Sequence, residues 1–163
     1  MDKLYIICID DQRDVLASVA RDLRPFSDWT VLEECESADE ALGVLNDLEA
    51  HEKPLALIVC DHIMPGTLGV DFLAKVEQSG NFKHVKKILM TGQATHQDTI
   101  NAINFAKIDA YIEKPWDGEK FRQVCRRLLT EYIFDSGKDA LEYREVVDPA
   151  VMMDRMRGGY RAE

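Results

Sequence analysis

The stretch Leu55-Ala56-Leu57-Ile58-Val59-Cys60-Asp61-His62-Ile63-Met64-Pro65-Gly66 decides the fold. An uninterrupted apolar run reaches one carboxylate and then turns. A run without polar alternation suits a strand covered on both faces. Three other runs end in the same way. Leu4–Ile9 stops at Asp10-Asp11, residues 85–90 stop at Thr91-Gly92, and Ala110–Glu113 stops at Lys114-Pro115. Open α/β sheets build their sites beyond the carboxyl ends of strands. Asp10, Asp11, Asp61, Thr91 and Lys114 are therefore the candidate functional residues.

Helical patterns separate these runs. Val15, Leu16, Val19 and Leu23 stripe a first helix over about 13–24, closed by Pro25. A further strand over 30–35 leads to Ser37, an N-cap with Glu40 completing a capping box. The second helix then has Ala41, Leu42, Leu45 and Leu48 as its core face. The turn 64–69 opens a third helix over about 70–78, stopped by Gly80. A fourth is expected over about 97–106, with Ile100, Ile103 and Phe105 at helical spacing. A fifth starts near Asp117 and carries Phe121, Val124, Cys125, Leu128, Leu129, Tyr132 and Ile133 on one face, with Trp116 packing at its start. Strands alternating with helices in this way predict an α/β fold of (βα)5 type, with a parallel sheet and right-handed crossovers.

From about Ser136 the pattern changes. Asp148-Pro149 reads as a break, and short helical turns are expected around Leu141, Val146 and Val147 and around Met152, Met153 and Met156. The tail admits three readings: an extension lying on the domain, a dimerisation or docking element, or a linker to an output domain outside this chain. The division is 1–134 and 135–163.

The chain has 163 residues, a formal net charge of −10, 46% hydrophobic and 31% charged residues. That acidity disfavours direct nucleic-acid binding, which rests on neutralising phosphates with Lys and Arg. No apolar stretch approaches the roughly 20 residues of a membrane span, and the N-terminus lacks a signal-peptide pattern. No membrane insertion is expected, and the cytoplasm is the default location. Cys8, Cys35, Cys60 and Cys125 form no C-x-x-C pair and have no His at ligand spacing, so zinc is not expected. Buried thiols of this kind act as small hydrophobes. His62 reads as an exposed loop residue.

Three carboxylates gathered at one sheet edge repel each other and need a cation. Oxygen ligands without His or Cys point to Mg²⁺ (or Mn²⁺), which keeps several waters and recruits phosphate oxygens. Lys114 adds a positive charge and Thr91 a hydroxyl donor. Phosphoryl transfer needs little beyond positioning and charge stabilisation, and an Asp carboxylate can be the nucleophile.

On these residues the chain resembles the receiver domains of two-component response regulators, the CheY-like superfamily. The resemblance covers about residues 3–134. It rests on Asp10-Asp11, Asp61 with Met64-Pro65-Gly66, Thr91, Lys114-Pro115, and Tyr111 three residues before Lys114. It implies a doubly wound five-stranded sheet of flavodoxin-like order 2-1-3-4-5, to which the tail adds a C-terminal helical extension. It implies that Asp61 accepts a phosphoryl group from a histidine kinase or histidine phosphotransfer protein. Mg²⁺ would be held by Asp11 and Asp61, by Asp10 mainly through water, and by the backbone carbonyl of Ile63. Thr91 and Tyr111 would respond, the surface of helix four, strand five and helix five would change, and a downstream protein partner or output domain would read it. A homodimer is compatible with the tail. The Lys114-Pro115 bond is expected to be cis, as in the family.

Ile63 departs from the commonest pattern, which has a polar residue there; an altered lifetime of the acyl phosphate is expected. Gly92 replaces a common Ala. Two other functions compete with the switch. An aspartate-nucleophile phosphohydrolase would need a second Asp where Ile63 stands. A phosphorylation-independent interaction domain would not need the complete acidic set. No turnover of an external substrate is expected.

Overall fold

The structure is a computed structural model and describes residues 1–92, 100 and 102–161. Five parallel strands make the central sheet: β1 (Leu4–Ile9), β2 (Thr30–Cys35), β3 (Leu55–Asp61), β4 (Lys86–Thr91) and β5 (Ala110–Glu113). Their order is 2-1-3-4-5, as the resemblance implied. All seven residues of β3 are buried, which is why its sequence shows no alternation.

The sheet separates two apolar layers. On one face Ile6, Cys8, Leu57, Val59 and Met90 meet α1 (Arg13–Leu23) and the long helix Gly118–Asp135. On the other, Ile7, Ile9, Ile58, Cys60 and Leu89 meet α2 (Ala38–Ala50) and α3 (Gly69–Ser79). Residues of β1 alternate between the layers because successive side chains of a strand point to opposite faces.

Most boundaries follow the local chemistry. Ser37 caps α2 by accepting the Glu40 amide. The reciprocal bond of the box lands one residue early, on the Glu36 amide. Gly80 closes α3 at φ 69°, a left-handed position. Asp117 caps the long helix by accepting from Glu119 and Lys120.

Several expectations need correction. Leu42 is exposed, because the inward stripe of α2 runs through Ala41, Leu45 and Leu48 and leaves Leu42 one position off it. His62 is buried, not exposed. Its amide donates to the Met90 carbonyl at 2.9 Å, so the chain continues under the sheet edge past Asp61 before it turns. The helix expected over about 97–106 lies in part outside the described residues. Within it, Ala102–Ala106 form a π-helical turn, and Ile100 and Phe105 face solvent. A π turn holds more residues than an α turn and carries side chains off a 3.6-residue stripe.

Asp148-Pro149 separates the two helical pieces of the tail and also starts the second, which is longer than expected. Asp148 Oδ1 accepts from the amides of Ala150 and Val151, and Pro149 takes the first helical position, where no N–H is needed. This terminal helix spans Pro149–Arg161. Before it, a 3-10 turn at Ala140–Tyr143 sends Tyr143 and Val147 into the α1 layer of the core. The Tyr143 hydroxyl donates to the Asp2 carbonyl at 2.7 Å. Thr130, buried in the long helix, accepts the Asp148 amide at 2.9 Å and donates to the Arg126 carbonyl at 2.7 Å. Asp135 receives Lys86 and Arg155, each at 2.7 Å.

Candidate phosphoryl-transfer site

Asp10 follows β1, Asp61 ends β3, Thr91 ends β4 and Lys114 follows β5. The parallel sheet brings all four to one edge. One carboxylate oxygen from each of Asp10, Asp11 and Asp61 lies within 4.8 Å of the others. Asp10 and Asp61 are buried, whereas Asp11 is exposed. Asp10 turns its Oδ1 to the Gln12 amide at 2.8 Å. No side chain caps α1, so the acidic pair does not serve that purpose.

Lys114 closes the site. Its Nζ donates to Asp10 Oδ2 at 2.8 Å and to Asp61 Oδ1 at 2.9 Å. Its amide donates to the Thr91 carbonyl at 2.9 Å, which ties the loop after β5 to the end of β4. The Lys114-Pro115 bond is cis. Burial raises the pKa of Asp61 above the ordinary aspartate value, and the nearby Asp10 and Asp11 push the same way. The Lys114 hydrogen bond and charge oppose this without cancelling it. Burial alone would lower the Lys114 pKa, but the hydrogen bonds to Asp10 and Asp61 and their charges raise it overall. The ammonium stays charged at neutral pH.

The loop after β3 is built by close backbone approach. Ile63–Met64 and Thr67–Leu68 pair as a small antiparallel ladder, a feature the turn residues did not reveal. Gly66 sits in it at φ 83°. The Gly69 amide donates to the His62 carbonyl at 2.7 Å. A Cβ on Gly69 would lie 2.0 Å from the Asp61 carbonyl oxygen, so only glycine lets α3 begin this near to Asp61. Ile63 is 64% exposed at the lip of the site.

A metal and a phosphoryl group fit what is there. The donor set is all oxygen, which suits a hard divalent cation. The buried Thr91 hydroxyl has no hydrogen-bond partner among the described residues. A buried hydroxyl without a partner is costly and is suited to a ligand oxygen. Tyr111 is half-buried and packs against the α2 and α3 layer. The four thiols are all buried and free. Burial lifts Cys8, Cys60 and Cys125 well above the ordinary thiol value and pushes Cys35 up to about 12.

Two groups of site-related residues escaped the sequence. Asp22, buried at the end of α1, accepts the Trp116 indole N–H at 2.7 Å. Their separation of 94 residues leaves no local signal. Gly69 could have been suspected from the glycine closing the turn 64–69, but not its contact with Asp61.

Residues 6–126 match the response regulator receiver domain family, and the chain belongs to it. Receiver domains are signalling switches of two-component systems, and here the acidic pocket is formed by Asp10, Asp11 and Asp61. Among similar proteins, the hydrogenase transcriptional regulatory protein HoxA of Cupriavidus necator is 33% identical over 125 residues, covering 76% of this chain and 24% of HoxA. The response regulator Rre1 of Synechocystis is 26% identical over 89% of this chain and 61% of its own length. This chain thus spans less than two thirds of either relative. The chemotaxis protein CheY of Pseudomonas aeruginosa is 25% identical over 77% of this chain and 96% of CheY. In structure, a CheY-like receiver domain from Methanospirillum hungatei superposes with a TM-score of 0.69 at 25% identity, covering 83% of this chain and 99% of its own. The signal receiver domain of an HD domain-containing protein from Pseudomonas fluorescens gives 0.70, also at 25% identity, over 80% and 97%. Among the described residues, no helix is long and apolar enough to cross a membrane.

Proposed function

We propose that this chain is a phosphorylation-dependent switch of a cytoplasmic two-component phosphorelay, with Asp61 as phosphoacceptor. The observation that carries this reading is Lys114 Nζ bridging Asp10 and Asp61 at 2.8 and 2.9 Å, beside a third carboxylate. An Asp61 oxygen attacks the phosphorus of a phosphohistidine on a kinase or phosphotransfer protein. The P–N bond breaks, the imidazole nitrogen leaves with the electron pair and takes a proton from water, and an acyl phosphate forms on Asp61. Asp10, Asp11, Asp61 and the Ile63 carbonyl would hold Mg²⁺ (or Mn²⁺). That ion, when bound, neutralises phosphoryl oxygens. Lys114 stabilises the charge gathering on those oxygens, and the Thr91 hydroxyl donates to one of them.

Thr91 and Tyr111 pass the event to the surface of the segment before β5, β5 itself and the long helix, where a downstream protein partner or output domain reads it. Such a switch is a local charge change with a distant readout. We assign residues 1–134 to the receiver unit and 135–163 to an extension. Tyr143 and Val147 pack inside the same chain, which supports an extension that braces its own domain over one reserved for a homodimer.

The test is incubation with Mg²⁺ and acetyl phosphate. Hydroxylamine-labile phosphate should appear on the wild type and be absent from Asp61→Asn. Unlabelled wild type would overturn the reading and favour a phosphorylation-independent interaction domain. Steady release of phosphate from many esters would favour a phosphohydrolase.

A further inference from the structure

We propose that Asp22 is a positioning residue for Lys114: through Trp116 it fixes the turn that carries the ammonium to Asp61. The proposal rests on the reading of Asp61 as phosphoacceptor and extends it to a residue on a different helix.

The turn 114–118 is pinned at both ends. At its start the Lys114 amide donates to the Thr91 carbonyl at 2.9 Å. At its end three residues close around the Asp22 carboxylate. The Trp116 indole N–H donates to Oδ2 at 2.7 Å. Arg122 Nη1 stands 3.8 Å from Oδ1. Gly118 leaves the space that Oδ1 fills, since a Cβ there would lie 2.7 Å from that oxygen. The Trp116 ring rests against Phe121, with centroids 6.0 Å apart, a second contact besides the hydrogen bond to Asp22. Lys114 lies two residues before it.

Asp22 is only 7% exposed. A buried carboxylate is a poor way to hold two helices together, because its desolvation offsets what its partners return. What such a group does provide is placement: a hydrogen bond to a charged acceptor is short and directional. Placement matters for Lys114, whose contribution depends on where its charge sits when negative charge gathers on the phosphoryl group.

The experiment compares Asp22→Leu, Trp116→Phe, their double variant and Asp22→Asn, in the whole chain. The first readout is the rate of Asp61 phosphorylation by acetyl phosphate at saturating Mg²⁺. Misplacement of a charge-stabilising group by about 1 Å can cost up to about 100-fold, so each disruptive single variant should be slowed by about tenfold or more. The double variant should be no slower than the singles, because both break one contact. Asp22→Asn should restore most of the rate, since its amide oxygen still accepts the indole N–H. The second readout is the ¹⁵Nζ–¹H NMR signal of the Lys114 ammonium in unphosphorylated protein, which should shift in Trp116→Phe and return in Asp22→Asn. Thermal stability alone would not follow this pattern. A wild-type rate and signal in Trp116→Phe, or multiplicative losses in the double variant, would overturn the proposal. If the wild type takes up no phosphate, the reading of Asp61 falls. The Lys114 signal then decides the placement separately, and an unchanged signal overturns it.

Discussion

Replacing Gly69 with alanine should damage the site without touching any group that does chemistry there. The new Cβ would lie 2.0 Å from the Asp61 carbonyl oxygen and 2.9 Å from both the Asp61 carbonyl carbon and the His62 Cα. Packed heavy atoms rest about 3.5–4.0 Å apart, so the overlap with the nearest atom exceeds about 1 Å. All three neighbours are backbone, and no rotamer can relieve the clash. Either α3 backs away and loses the 2.7 Å Gly69–His62 hydrogen bond, or the Asp61–His62 peptide shifts. Overpacking of this kind costs about 3 kcal/mol at the upper end of its usual range. For a chain of this size that lowers Tm by roughly 6–12 °C. A shift of about 1 Å at Asp61 should slow its phosphorylation by up to roughly 100-fold. Gly66→Ala is the control. It also sits at positive φ, but nothing lies within 4 Å of its Cβ, so it should cost about 1 kcal/mol of backbone strain and leave the rate intact. Acetyl phosphate labelling and thermal melts of both variants decide the matter. Wild-type rate and Tm in Gly69→Ala, or an equal loss of rate in Gly66→Ala, would refute the close-approach argument.

Three further expectations can be checked directly. Burial would raise the Asp135 pKa, but hydrogen bonds from Lys86 and Arg155 hold it below the ordinary value. The unfolded chain therefore binds this proton more tightly, and the stabilisation is present above about pH 4 and fades as pH falls through the lowered value. Asp135→Asn should lower the urea midpoint at neutral pH, corresponding to a stability loss of up to about 1 kcal/mol, with the gap to wild type closing in acid; a gap independent of pH would contradict the assignment. Thr130→Val deletes the hydroxyl that receives the Asp148 amide and should cost about 1.5 kcal/mol, with faster hydrogen exchange at that amide, while Thr130→Ser should keep it protected. Ile63→Asn should change the hydrolysis lifetime of the acyl phosphate, because a polar side chain replaces an apolar one at the open lip of the site; identical lifetimes would remove Ile63 from consideration.

The inner strands β1 and β3 could be read from sequence because burial on both faces leaves no polar residue to blur them. β2 and β5 match the expected bounds, and β3 and β4 differ only by residues at their ends. The candidate site could be read for a related reason: a parallel sheet aligns its strand ends, so acids that each follow an apolar run must meet. What escaped was set by distant partners. His62 borders a loop in sequence, but its amide bonds to Met90 on the neighbouring strand. Tyr143 lies in a polar stretch, yet its ring packs in the α1 layer and its hydroxyl reaches the Asp2 carbonyl, partners that are distant in sequence. Asp148-Pro149 has the chemistry of both a break and a helix start, and the Asp148 amide is held by Thr130, 18 residues away in sequence. Leu42 and Ala41 differ by one position on a helix, too little for periodicity to separate when both are apolar.

The two apolar layers give the acidic edge a seam. The loop that follows Asp61 is braced by Gly69 and α3, on one side of the sheet. The turn bearing Lys114 is braced by Trp116, Phe121 and α1, on the other. Their 2.9 Å contact is therefore a gauge of how one half of the molecule sits against the other. A displacement of α1 or of α3 against the sheet would therefore change the separation of Lys114 and Asp61 without touching either side chain.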